Sequence, residues 1–245
     1  MILYDPTSGN PVTTPVAFRP RTSFFMSKMG PDAPPFVKEV RARLASLLRE
    51  VDYDLIDAGG VTTGRDYLRK IWEVIVSVPM GMAVVYRNMP APTLGNVFYE
   101  LGLMQATGKN TLVITERGTK MPSDFVRTEH VVYGPGFDEK IRAFMRSALA
   151  EAEYLTVLAE QAERNPMLAI DCYRRAFLLT GDEEYCRRTD ELLASGIIGE
   201  RAKNCVEFLT AGFRDFARGL GSGRAARQVA ATEAAEPTRK RGGCR

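Results

Sequence analysis

The sequence predicts an α/β protein built on a parallel β-sheet, and three observations support this fold class. Short apolar runs of strand length alternate with segments whose apolar residues recur at helical spacing. One run, Met82–Tyr86, is apolar throughout, which is typical of a central parallel strand buried on both faces. Five such runs precede a long segment of almost wholly helical pattern. We therefore expect a five-stranded parallel sheet with helices on both faces, followed by a helical C-terminal extension.

The first elements can be assigned in chain order. Residues 1–20 contain four prolines, so we expect an extended arm that can cover a sheet edge. The predicted strands are Ser23–Met26, Tyr53–Asp57, Met82–Tyr86, Thr111–Thr115 and Val131–Tyr133. The first helix begins after Pro34-Pro35, and its inner residues are Val37, Val40, Leu44, Leu47 and Leu48. The inner residues of the second helix are Tyr67, Leu68, Ile71, Trp72 and Ile75.

The third helix follows the central strand and is expected to open at Asn96. Pro90 and Pro92 mark the loop before it. Asn96 is a candidate N-cap, because its side-chain oxygen can accept a hydrogen bond from a free backbone N–H of the first turn. Gly108 fits the position just beyond the helix end, where a left-handed backbone favours glycine.

The chain is expected to divide into four parts. Residues 1–20 form the arm, 21–136 the α/β domain, 137–220 the helical extension and 221–245 a disordered basic tail rich in Gly, Ala and Arg. Within the extension, Ala169–Phe177 has the spacing of one helix of a tetratricopeptide-like hairpin. No second copy follows at the ~34-residue period of such arrays, so a helical appendage for packing or dimerisation is the alternative.

Charge and composition exclude several functions. The formal net charge is +3, but the tail holds six Lys/Arg and two Glu, so the rest of the chain carries −1. A near-neutral body does not favour nucleic-acid binding through a broad basic face. The N-terminus lacks the pattern of a signal peptide, and no apolar run is long enough to span a membrane. We therefore expect a cytoplasmic protein without a membrane partner, with its four cysteines as reduced thiols.

The single histidine, His130, narrows the chemistry further. A zinc site built on histidines, a two-histidine metal centre or a Ser-His-Asp triad would all depend on this one residue. We expect neither a metal nor a cofactor. Any catalysis would then use carboxylates, hydroxyls, arginine or lysine.

The candidate ligand site lies beyond the carboxyl ends of the strands, where open parallel sheets bind their ligands. Four segments should converge there: Ser27–Gly30, Asp57–Arg65, Arg87–Glu100 and Thr115–Asp124. The substrate-binding candidates in them are Ser27, Gly30, Asp57, Arg65, Arg87, Asn96 and Tyr99. Simpler interpretations remain open for several of these. Asp57 could be a turn residue, Arg65 a solvated arginine at a helix start, and the Ser27–Gly30 loop a polar turn.

Glu100 is the candidate catalytic residue. It lies four residues after Asn96, on the same face of the third helix. A carboxylate near a helix N-terminus is favoured in its charged form, as a nucleophile or a stabiliser of positive charge requires. Val97, Leu101 and Met104 predict a buried stripe beside it. A surface Glu is the alternative, but a Glu beside an apolar stripe needs a partner or a function.

The residues around Glu100 also carry a family resemblance. From Gly95 to Lys109 the chain reads Gly-Asn-Val-Phe-Tyr-Glu-Leu-Gly-Leu-Met-Gln-Ala-Thr-Gly-Lys, and an apolar strand follows. This segment resembles the central motif of nucleoside 2-deoxyribosyltransferase-like proteins and of related bacterial TIR-like nucleotide-binding domains. Met121–Phe125, with Val131–Tyr133 behind it, is similar to the Pro-x-Asp segment and closing strand of the same group. The resemblance covers roughly residues 20 to 145.

This resemblance implies a flavodoxin-like domain that acts on the N-glycosidic bond of a nucleoside, a nucleotide or NAD. In the transferases the motif Glu attacks the anomeric carbon, and in TIR-type NADases a corresponding Glu supports the loss of nicotinamide. Glu100 would take one of these roles, with NAD as a possible substrate and not as a cofactor. The alternative is a non-catalytic nucleotide sensor, or a TIR-like module that forms a homo-oligomer through its helical extension. The lack of an acidic residue between Tyr86 and Glu100 favours that alternative.

Overall fold

The computed structural model describes residues 8–10, 16–60, 67–121, 129–162 and 164–195. Its strands are β1 (Thr22–Met26), β2 (Asp54–Asp57), β3 (Met80–Val85), β4 (Asn110–Thr115) and β5 (His130–Val132). Its helices are α1 (Pro35–Arg49), α2 (Tyr67–Ser77), α3 (Ala91–Ala106), α4 (Phe137–Gln161), α5 (Pro166–Thr180) and α6 (Glu184–Ala194). A 3₁₀ turn, Ala58–Gly60, follows β2. Arg65 and the predicted tail 221–245 lie outside the described residues.

The five strands form one parallel sheet in the order β2-β1-β3-β4-β5. This is the doubly wound order of the flavodoxin-like fold, which confirms the predicted fold class. All strands point the same way, so their carboxyl ends share one edge of the sheet, hereafter the carboxyl edge. The opposite edge is called the amino edge.

Both faces of the sheet are covered. One face packs against α2 and α3, whose buried residues include Ile75, Val97 and Leu101. The other face packs against α1, α4 and α5. The central strand β3 has all six of its residues buried, which accounts for its apolar sequence.

The core continues across residue 136, where the sequence predicts the end of the α/β domain. Phe137, Ile141 and Phe144 of α4 belong to the same buried cluster as Leu112 and Ile114 of β4. Several buried residues of α5 extend this cluster. The first two helices of the predicted extension therefore provide one of the two covering layers of the sheet.

The described part of the N-terminal arm joins α2 to α5. The Arg19 N–H donates to the Ser77 carbonyl at 2.8 Å, and the Arg21 N–H donates to the Leu178 carbonyl at 2.9 Å. Phe18 is buried in a cluster that includes Phe177 and Leu178. Residues 16–21 thus close the amino edge beside β1.

The start of α3 differs from the prediction. The helix begins at Ala91 with Pro90 as its N-cap residue, so Asn96 lies in the second turn and does not cap the helix. Proline is compatible with the first helical turn, because the N–H it lacks has no intrahelical acceptor there. The prediction at the other end is confirmed: Gly108 has a φ of 69°, and its N–H donates to the Gln105 carbonyl.

One inner position of α2 was also predicted wrongly. Ile71, Trp72 and Ile75 are buried as expected, but 52% of Leu68 is exposed. Leu68 is the second residue of α2, in its first turn. Among the described residues, the structure contains no helix long and apolar enough to cross a membrane.

The side chain of Tyr53 connects the sheet to α5, so it can test whether the two are part of one core. It is buried just before β2, and its hydroxyl donates to the Leu179 carbonyl near the end of α5. We expect Tyr53→Phe to lower the free energy of unfolding by about 1–2 kcal/mol, because the buried carbonyl loses its donor. Denaturant unfolding measures this change. Tyr154→Phe is the matched control, since Tyr154 is exposed, and an equal effect of both changes would contradict the prediction.

Candidate functional site

The carboxyl edge has the topology of a ligand site. The chain leaves β1 towards α1 on one face and leaves β3 towards α3 on the other, so the loops diverge between these two strands. Ser27 lies at this point, directly after β1. Its hydroxyl donates to the Val84 carbonyl of β3 at 2.9 Å. Ser27 thus ties the two strands together where a crevice is expected.

The loops after β1 and β2 lie close together. Gly30 has a left-handed backbone with a φ of 89°, and a Cβ atom placed on it would meet nothing within 4 Å. A Cβ atom on Gly59 would lie 3.8 Å from the Met29 methyl. The loop at Gly30 is therefore open to solvent and can admit a ligand, whereas the adjoining loop at Gly59 is closely packed.

Both carboxylate oxygens of Asp57 already have partners. Oδ1 accepts a hydrogen bond from the Gly59 N–H at 2.8 Å, and Oδ2 forms an ion pair with Arg41 at 2.5 Å. These contacts close the turn after β2 and attach it to α1. They agree with the simpler interpretation of Asp57 as a turn residue. A ligand hydroxyl would have to compete with Arg41.

Arg87 links the ends of β3 and β4. Its backbone N–H donates to a Glu116 carboxylate oxygen at 2.8 Å, and its guanidinium lies against Arg117 and Gly118. The Glu116 N–H in turn donates to the Val85 carbonyl. The side chain of Arg87 remains exposed at the carboxyl edge, where it can meet an anionic group.

Glu100 lies on the side of α3 that faces α2. Leu103, one turn further along α3, packs against Trp72 and Val76 of α2. Residues three apart on a helix are neighbours on its surface, so Glu100 lies just above this apolar contact, on the side towards the carboxyl edge. Its distance from the start of α3 is about 13 Å at 1.5 Å per residue. Glu100 therefore lies beside the contact between α2 and α3, a position hereafter called the α2–α3 groove.

The charge state of Glu100 was predicted wrongly. Burial raises the pKa of its carboxyl group to about 7, so the uncharged form is favoured below neutral pH. The helix dipole cannot oppose this effect, because it acts within the first turn and Glu100 is the tenth residue of α3. Among the described residues the carboxyl group has no hydrogen-bond or ion-pair partner. The predicted stripe beside it is confirmed, since Val97, Leu101 and Met104 are buried.

The other two α3 candidates differ in placement. Asn96 is exposed one turn before Glu100, nearer to the carboxyl edge. Tyr99 is 48% exposed and lies on the outer side of the helix. The structure thus brings Ser27, Gly30, Asp57 and Arg87 to the carboxyl edge, and Asn96 and Glu100 to the adjoining helix groove.

Two residues of the loop after β4 were not singled out in the sequence. Glu116 holds the Arg87 backbone, and its position directly after a strand is the signal that could have revealed it. The Thr119 hydroxyl oxygen is buried without a hydrogen-bond partner among the described residues. Unpaired buried hydroxyls are rare and can indicate where a missing group binds.

Among the described residues, no three His, Cys, Asp or Glu side chains lie close enough together to hold a metal ion. Comparison with protein-family models, with curated proteins and with solved structures finds no significant match to the chain. The resemblance of the Glu100 motif therefore stays a prediction.

The raised pKa of Glu100 leads to a prediction about stability. The folded protein binds the proton of the Glu100 carboxyl group more tightly than the unfolded chain does. Protonation of Glu100 therefore contributes fully to the free energy of unfolding below pH 4.5, and this contribution is lost as the pH rises to about 7. Glu100→Gln removes this dependence. We expect the variant to match the wild type near pH 4.5 and to be more stable above pH 7, by at most about 3 kcal/mol, since one pKa unit is worth about 1.4 kcal/mol.

Denaturant unfolding across this pH range measures the difference. Glu153→Gln is the control, because Glu153 is exposed on α4. A Glu100→Gln variant that is less stable than the wild type at pH 8 would show that burial does not destabilise the Glu100 carboxylate.

Proposed function

We propose that the protein cleaves, or transfers at, the N-glycosidic bond of a nucleoside, a nucleotide or NAD, with Glu100 as its catalytic residue. The observation that carries this proposal is the Glu100 carboxyl group, which is partly buried beside the α2–α3 contact of a flavodoxin-like fold and has no hydrogen-bond or ion-pair partner among the described residues. Perturbed carboxyl groups in such places are typical of active sites. The resemblance of its motif to nucleoside 2-deoxyribosyltransferase-like proteins supplies the reaction class.

The chemistry needs one carboxylate at the sugar. The C1′–N bond breaks with both of its electrons leaving on the base, and C1′ becomes oxocarbenium-like. The Glu100 carboxylate stabilises this cation or bonds to C1′, and water or an acceptor base completes the reaction. A poorly solvated carboxylate suits this task, because a cation at C1′ is then attracted more strongly than in water.

The exposed polar groups near the groove can bind the rest of the substrate. The Asn96 amide lies one turn nearer to the carboxyl edge and can bond to a sugar hydroxyl. Arg87 can pair with a phosphate group at the edge. Tyr99 can contact a base only from the outer side of α3. These roles are part of the proposal.

The test is release of free base. The protein is incubated with NAD, nucleoside monophosphates and deoxynucleosides, and the products are separated by chromatography. We expect one substrate class to release its base, and we expect Glu100→Gln to reduce kcat/KM by about 100-fold to 1,000-fold, as when a group stabilising transition-state charge is removed. No free base from any substrate, or an unchanged rate in the variant, would remove the proposal. Glu153→Gln should retain full activity.

The pH profile gives a second readout. Because Glu100 acts as a carboxylate and burial raises its pKa to about 7, kcat/KM should increase with pH and level off above about 7. A profile that is flat between pH 5 and 8 would show that no group of this pKa controls the reaction.

A non-catalytic role is the second candidate, and two observations favour it. Asp57 and Glu116 are held by Arg41 and the Arg87 backbone, so among the described residues neither is a free second carboxylate for catalysis. The helical region exposes Tyr154, Val157 and Leu168, which can contribute to assembly with a second copy. Such a protein would sense a nucleotide-type ligand. Calorimetric binding of a nucleotide without turnover would decide for this role. A cytoplasmic location fits either role and is likewise proposed.

A further inference from the structure

One side of α4, hereafter its outer face, is exposed and carries no charged side chain. Tyr154 and Val157 lie on it and are 64% and 50% exposed. Ala150 is exposed one turn before Tyr154. Other exposed residues continue this face in both directions at steps of three or four, which keeps them on one side of the helix. The outer face consists of Ala143, Ser147, Ala150, Tyr154, Val157 and Gln161.

The other sides of α4 already have partners. Phe144 and Leu155 are buried in the core between the sheet, α4 and α5. Glu160 forms an ion pair with α6. Within the described part of the chain, no element covers the outer face. Apolar residues at helical spacing, such as Tyr154 and Val157, are typical of a surface that packs against another helix.

The sequence that follows α6 contains one amphipathic stretch. It belongs to residues 196–245, which lie outside the described residues. Between residues 202 and 220, charged residues alternate with apolar residues that recur at steps of three or four. This pattern predicts a helix with one apolar side, and such a helix is stable only when that side is buried. The apolar residues are Ala202, Val206, Leu209, Phe213, Phe216 and Leu220.

The amphipathic stretch and the outer face have the same spacing and the same length. In both sets, successive residues are separated by four, three, four, three and four positions. Each set spans about 27 Å at 1.5 Å per helical residue. Steps that average 3.5 residues are the pattern of two helices that pack side by side along their length. The outer face therefore matches the apolar side of the predicted helix from end to end.

The course of α6 sets the direction in which the two helices can meet. The Thr156 hydroxyl donates to the Tyr185 hydroxyl at 3.0 Å, and Glu160 pairs with Arg188 at 2.6 Å. Successive residues of α6 thus contact successive turns of α4, so the two helices run in the same direction. The chain leaves α6 near the C-terminal end of α4. A helix over residues 202–220 that returns from there runs antiparallel to α4.

In the antiparallel arrangement, large side chains of the stretch lie opposite small ones of the outer face. Aligning the two sets end to end places Phe213 opposite Ala150 and Phe216 opposite Ser147. Leu209 then lies opposite Tyr154. Helices pack closely when large and small side chains interdigitate in this way. The small residues of the outer face thus leave room for the two phenylalanines.

We propose that residues 202–220 form a helix that docks on the outer face of α4 in the same chain. This helix covers Tyr154 and Val157 and buries its own apolar side. A segment attached through a short connection has an effective concentration on the order of millimolar, so it occupies the face ahead of a second copy. The contact is independent of the proposed reaction at Glu100, because α3 and α4 cover opposite faces of the sheet.

Limited trypsin digestion of the full chain tests this docking. Lys203 and Arg218 are cleavage sites within the stretch, and Arg224 and Arg227 beyond it are reference sites. We expect the wild type to be cleaved at least tenfold more slowly within the stretch than at the reference sites. The reason is that a docked helix must detach before the protease can cleave it. Mass spectrometry of the fragments measures both rates.

Substitutions on either side of the contact should remove this protection. Tyr154→Asp combined with Val157→Asp places two charges on the outer face and should speed cleavage at Lys203 at least tenfold. Phe213→Asp combined with Phe216→Asp should have the same effect, and it changes no residue of the described core. Circular dichroism checks that each variant retains its fold.

Tyr99→Asp is the matched control, because Tyr99 is a similarly exposed tyrosine on the outer side of α3. It should change neither the rate within the stretch nor the rate at the reference sites. Rapid cleavage within the stretch of the wild type would overturn the proposal. So would an unchanged rate in the variant at Tyr154 and Val157, or an equal effect of Tyr99→Asp.

Digestion at several protein concentrations, together with sedimentation velocity, identifies the occupant of the outer face. Protection that does not depend on concentration in a monomeric protein supports docking within one chain. Protection that is lost on dilution, or a dimer that Tyr154→Asp and Val157→Asp dissociate, assigns the face to a second copy. Either of these last two results would overturn the proposal.

Discussion

The fold depends on the burial of β3 on both of its faces. All six residues of this strand are buried, so the sheet is stable only when both helical layers are present. One layer comes from α2 and α3. The other requires α4 and α5 in addition to α1, which makes the first part of the C-terminal region part of the same core. Because all five strands are parallel, every loop that follows a strand lies at the carboxyl edge.

Most of this architecture can be predicted from the sequence, because it follows from local patterns. Apolar runs of strand length located the five strands, and helical spacing located α1 and the buried residues of α2. The error at the start of α3 has a local cause: Pro90 and Pro92 predict a loop, although proline is also compatible with a first helical turn. The error at Leu68 is different, since its exposure depends on how α2 lies against the sheet.

The state of the candidate site was harder to predict, because it depends on contacts between distant segments. The motif located Glu100, but its raised pKa reflects burial in the groove between α2 and α3. Asp57 is a candidate because it lies at the end of a strand, whereas its pairing with Arg41 cannot be predicted from the spacing of the two residues. The same holds for the ion pair between Glu151 of α4 and Arg175 of α5, which forms because these two helices pack together.

The contrast between Glu100 and other carboxyl groups bears on its function. Arginine partners lower the pKa of Glu50, Asp138 and Glu184, as is usual for carboxylates that contribute to stability. Burial moves the pKa of Glu100 in the opposite direction, and no arginine partner faces it among the described residues. A Gln or Leu at this position would avoid the cost of a desolvated charge above neutral pH.

Lys109, three residues after the same helix, is a second desolvated group: burial and the positive charge of Arg174 hold its pKa well below the usual value. Its Nζ donates to the Val76 carbonyl, so the fold supplies this group with an acceptor. Among the described residues Glu100 has no such contact, and this difference favours the proposed role of Glu100 over a purely structural one.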